Sequence, residues 1–71
     1  MSSARISISS PPDRERLVAE IFFGENQFAE INQEGDQLTV EVYPTQDGTP
    51  WSIPYSALVA ALDEAKRRLT G

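Results

Sequence analysis

Three glutamates, Glu20, Glu30 and Glu41, are the side chains whose type and spacing could do chemistry in this chain. They lie within LVAEIFF, FAEINQE and QLTVEVY, and each stands two residues from an aromatic ring: Phe22, Phe28 and Tyr43. Paired carboxylates run acid–base catalysis in glycosidases, where burial in a cleft splits their pKa values. Sets of carboxylates also take Ca²⁺ or Mg²⁺, hard cations that prefer oxygen ligands. A third use needs no reaction at all. Aromatic rings supply contact area and carboxylates steer a basic protein partner towards them.

Which use applies depends on the elements that carry these residues. RLVAEIFF alternates Leu17, Ala19, Ile21 and Phe23 against Val18, Glu20 and Phe22, the pattern of a strand with one apolar and one mixed face. FAEINQE and QLTVEVY read as two further strands, with Leu38, Val40 and Val42 on the apolar side of the last. A two-residue hairpin at Gly35-Asp36 pairs Ile31 with Val40 and Ala29 with Val42. A three-residue loop at Gly24-Glu25-Asn26 pairs Ile21 with Ala29 and Ala19 with Ile31. Both registers place the apolar residues on one face, and a slip of one residue would undo that agreement.

The remaining segments follow from composition. Residues 1–13, with Ile6 and Ile8 alternating with Ser before SPPDRER, read either as a flexible tail or as an edge strand. Residues 44–53 carry Pro, Gly and Asp-Gly and form an ordered loop. Residues 54–70 form an amphipathic helix, with Tyr55, Leu58, Val59, Leu62, Ala65 and Leu69 on one stripe. Lys66, Arg67 and Arg68 complement its dipole, Gly71 ends it, and Asp63–Arg67 and Glu64–Arg68 are favourable pairs. The expected architecture is α+β within a single domain, residues 1–71. A three-stranded antiparallel meander over 16–43, four-stranded if the first segment pairs, has one C-terminal helix packed on one face.

One helix covers one face, so the other carries the glutamates. Its expected rows are Val18, Asn32 and Thr39, then Glu20, Glu30 and Glu41, then Phe22, Phe28 and Tyr43. Neighbouring carboxylates about 5 Å apart repel by about 0.8 kcal/mol per pair in water. Like charges placed opposite one another destabilise a sheet, and such local conflicts are expected at functional sites. The plain alternative is a solvated face on which charge prevents edge-to-edge aggregation. Trp51 either plugs one end of the core or anchors the rim of the interface.

Catalysis is disfavoured. At 71 residues with no histidine and no cysteine, the chain lacks the usual neutral-pH proton shuttle, metal ligands and thiolate nucleophile. It has no Walker-type loop and no GxSxG. A flat sheet gives carboxylates neither a cleft nor an enclosing loop, so no catalytic residue, cofactor or metal site is expected. A net charge of −5 opposes nucleic-acid binding and favours a basic protein partner. An aromatic sheet that stacks RNA bases would want cations beside the rings, not three glutamates. No apolar stretch suggests a signal peptide or a membrane span, and the expected location is the cytosol.

The succession EIFFG, FAEINQE, QLTVEVYP, DGTPW and ALDEAKRRL, over residues 18–69, resembles small acidic bacterial immunity proteins of polymorphic-toxin and contact-dependent inhibition systems. The resemblance implies a cytosolic protein that binds a cognate toxin domain and blocks its active site. On that analogy Glu20, Glu30 and Glu41 pair with Lys or Arg of the toxin, while Phe22, Phe28 and Tyr43 supply buried contact. The competing expectation is a small homodimer of structural or interaction role, whose open sheets or Ile6–Ile8 edges pair. An inhibitor would at most self-associate weakly.

Overall fold

The structure, a computed structural model, describes residues 4–13 and 15–71. Residues 1–3 of the first segment, and Arg14 of SPPDRER, lie outside the described residues. The elements are β1 (Ala4–Ser9), β2 (Val18–Phe23), β3 (Asn26–Asn32), β4 (Thr39–Val42) and α1 (Tyr55–Thr70). They form an α+β fold, an open antiparallel sheet in the order β1-β2-β3-β4 with a C-terminal helix. Residues 4–9 are therefore a fourth strand. Ile6 pairs with Ile21 and Ile8 with Ala19, which brings both isoleucines to the apolar face.

That face holds Ala19, Ile21, Ala29 and Ile31, closed by Ala61 and Ala65 of α1, with Leu58, Leu62 and Leu69 packed around them. Alanines on both sides let the helix sit close to the sheet. Pro54 accepts the first helical N–H, from Leu58 at 3.0 Å, and the Gly71 N–H donates to the Arg67 carbonyl at 2.8 Å. Arg68 reaches the Ile6 carbonyl of β1 at 3.2 Å. Glu64 takes both Arg67 and Arg68, so Arg67 does not turn to Asp63 as the i,i+4 spacing suggested. Among the described residues no helix is long and apolar enough to cross a membrane.

The helix packs on β1 and β2, and part of the expected apolar face is therefore exposed. Val40 and Val42 of β4 point to the helix side yet are exposed, Val42 at 57%. Leu38 is exposed too. Tyr55, expected in the core, is 83% exposed, and Val59 beside it is also exposed. Leu17 precedes β2 rather than belonging to it and faces solvent. The cause is width: a helix about 10 Å across spans about two strands spaced ~4.8 Å apart.

Both turns differ from the expected ones. β2 and β3 are joined by the two residues Gly24 and Glu25, with Phe23 paired to Asn26 and Gly24 at φ +64°. The residue count is restored by a bulge at Ile21/Phe22, beyond which Phe22 pairs with Gln27 and not with Phe28. The bulge turns Phe28 to the helix side, since two residues then oppose one on the partner strand. There it is buried at 7% exposure, edge-on to Phe23 (ring centroids 5.5 Å apart) and to Trp51 (5.1 Å). Between β3 and β4 the register is the expected one, but pairing stops at Asn32–Thr39 and Gly35-Asp36 make no tight hairpin. Glu34 is instead drawn to the β1–β2 connection, accepting the N–H groups of Glu15 (3.3 Å) and Arg16 (3.2 Å).

The bulge predicts unequal roles for two neighbouring phenylalanines. Phe28→Ala empties a core site and is expected to lower stability by about 3 kcal/mol or more. Phe22→Ala loses a cation–π contact and is expected to cost about 1 kcal/mol or less. Urea denaturation of the two variants, followed by circular dichroism, checks the difference; equal losses would place Phe28 outside the core.

Candidate functional site

The sheet face away from the helix carries the glutamate row. Glu20 lies opposite Glu30 across β2–β3, and Glu30 lies opposite Glu41 across β3–β4. Ser7 of β1 continues the row beside Glu20. The three carboxylates differ in setting: Glu41 is exposed, Glu20 half-buried, and Glu30, expected on a wet surface, is only 6% exposed. Asn32 and Val18 are buried on the same face, at the end where Glu34 ties the two connections together.

Hydrogen bonds account for carboxylates being tolerated so close together. The Asn32 amide donates to Glu41 at 2.6 Å and to Glu30 at 3.3 Å, standing between two like charges. The Tyr43 hydroxyl donates to the other oxygen of Glu30 at 3.0 Å. A buried carboxylate needs such donors, because desolvation without them costs several kcal/mol. Asn32 was legible as a face residue two positions from Glu30, but its bridging role follows only from the register.

The aromatic row does not survive intact. Phe28 is in the core, so it is no contact residue. Phe22 stays on the open face, half-buried, with the Arg5 guanidinium 4.2 Å from its ring centre. The face is therefore not purely acidic, since β1 places Arg5 opposite Phe22. Tyr43 is half-buried and anchored by its hydroxyl. Trp51 closes the end of the core over Phe28, and its indole N–H donates to the Tyr43 carbonyl at 2.7 Å. The core alternative for Trp51 is the one found.

The loop after β4 borders a cleft beside Tyr43. Thr45 donates to the Thr49 carbonyl, and Thr49 donates to Asp47 through its hydroxyl (2.7 Å) and its N–H (3.1 Å). These Thr49 bonds, the hydroxyl's first, hold the Asp47 carboxyl below its ordinary value of 3.8. On the helix, the Arg68 hydrogen bond and then the Arg67 charge lower Glu64 in the same way. A cleft of about 570 Å³ opens between the loop and the end of β3, walled by Gln27, Tyr43, Gln46, Asp47 and Trp51. Among the described residues no cluster of three His, Cys, Asp or Glu side chains could hold a metal ion.

Comparison of the chain with protein-family models, with curated proteins and with solved structures finds no match in any of the three.

Two outcomes are expected. Tyr43→Phe removes a donor to a buried carboxylate and should cost about 1–2 kcal/mol in urea denaturation; no loss would mean that Glu30 does not depend on the hydroxyl. Asp47, with its lowered value, lends stability above the ordinary aspartate range and loses it as pH falls through the lowered value. The melting temperatures of wild type and Asp47→Asn should therefore converge below about pH 3.8 and separate above it, by a small margin because the group is exposed.

Proposed function

We propose that this protein is a non-catalytic protein-binding module, an immunity protein that neutralises a cognate bacterial toxin domain in the cytoplasm. The observation that carries the reading is the registered row Glu20–Glu30–Glu41 on the helix-free face. A row of carboxylates across three strands suits a basic surface such as the substrate cleft of a nuclease toxin. The net charge of −5 adds long-range attraction, which raises association rates with a basic partner. The resemblance of residues 18–69 to immunity proteins supports the same reading.

The residues divide the work differently from the sequence expectation. In this reading Glu41 and Glu20, the more exposed members, take the basic side chains of the partner, while Glu30, with Asn32 and Tyr43, holds the row in position. Phe22 and Tyr43 offer ring surface at the margin of the face. The adjoining cleft, with Asp47 and the edges of Tyr43 and Trp51, can receive an arginine or lysine side chain.

The test is a tagged pull-down from the source organism's lysate beside a Glu20→Lys, Glu41→Lys variant. Glu30 is left unchanged because its burial would turn a binding test into a folding test. The wild type should retain one basic protein, and the folded variant should lose it by about tenfold or more. Retention of the same partner by both would move the interface off this face.

A further inference from the structure

Among the described residues, the helix-side surface of β4 is only partly covered. Leu38, Val40 and Val42 are exposed there, and Tyr55 and Val59 are exposed on the helix. Arg68 reaches β1, and Val59 lies half a turn around the helix from Arg68, so the Tyr55–Val59 flank looks towards β3 and β4. The result is an apolar strip on the β4 side of the molecule, with exposed Lys66 beside Val59 on the helix flank.

We propose that this strip is a homodimer interface, occupied by the same strip of a second copy around a two-fold axis. The β4 side chains of each copy then pack against the helix flank of the other, a self-complementary contact of the isologous kind. Five large side chains at these exposures present on the order of 500 Å², at the upper end for a monomer's largest apolar patch. Two copies together bury about 1,000 Å², the threshold for a specific interface.

The core of the single chain supplies a second argument. Half of its buried apolar residues are alanines, and its largest fully buried side chains are Ile21 and Val18. Domains of this size compensate for a thin core with disulfides, a structural metal or association. The chain has no cysteine, and the described residues offer no metal cluster. Association remains, and the partner present whenever the chain folds is another copy of it. Charge permits it: the glutamate row lies on the opposite face, so packing strip on strip does not bring the two rows together. The acidic face stays open in such a dimer.

Light scattering and sedimentation from micromolar to near-millimolar concentration test the proposal. Wild type should reach twice the chain mass, with a melting temperature that rises with concentration. Val42→Lys and Tyr55→Lys should each return the particle to the chain mass with an unchanged far-ultraviolet spectrum. Tyr55, as the more exposed site, serves alone if the strand variant does not fold. A wild type that stays at the chain mass with a concentration-independent melting temperature overturns the proposal, whether the strip is simply solvated or takes a different protein. Variants that remain dimeric overturn it as well, by placing the contact elsewhere, such as the free edge of β1.

Discussion

One helix about 10 Å wide cannot cover four strands set ~4.8 Å apart. Much of the molecule follows from that mismatch. The helix lies over β1 and β2, where Ala61 and Ala65 let it approach Ile21 and Ala19 closely. Arg68 fastens its end to β1. β4 keeps the alternating pattern of a core strand but has no helix above it, and its valines face outward. The sheet thus presents two distinct surfaces, an acidic one on the far side and an apolar strip on the near side.

The bulge in the β2–β3 pair sets the character of the acidic surface. By turning Phe28 into the core under Trp51, it takes one of the three rings off that face and leaves Gln27 opposite Phe22. Tyr43 remains, fixed at both ends: its hydroxyl binds Glu30 and its carbonyl takes the Trp51 indole. The same tryptophan therefore plugs the core and steadies the residue that steadies the glutamate row. Core packing and surface electrostatics are coupled through Tyr43 and Trp51.

The order β2-β3-β4 and the pairings Ala19–Ile31, Ile21–Ala29, Ile31–Val40 and Ala29–Val42 were legible in the sequence, because two hairpins had to agree on one apolar face, whereas the first segment fitted a tail as well as a strand. The Glu20–Glu30–Glu41 row followed from them. Phe28 was misread because a three-residue loop and a two-residue turn with a bulge preserve the same register at Ile21 while sending residue 28 to opposite faces. Tyr55 and Val59 were misread because periodicity reports which side of a helix is apolar and not how much sheet lies beneath it. Arg5 carries no signal of its own while the first segment fits a tail as well as a strand; once Ile6 pairs with Ile21, Arg5 must face Phe22. The burial of Glu30 had no local signal, since it depends on donors from Asn32 and Tyr43 brought in by β3 itself and the end of β4.

The helix does not cover the apolar face of β4 in its own chain. Nuclear Overhauser spectra of an equal mixture of ¹³C-labelled and unlabelled protein, filtered by isotope, separate contacts between chains from contacts within one. Contacts of the Val42 methyl groups with the Tyr55 ring or Val59 methyl groups are expected to connect labelled to unlabelled chains. The same contacts found within one chain, in dilute solution, would instead put the helix across β3 and β4.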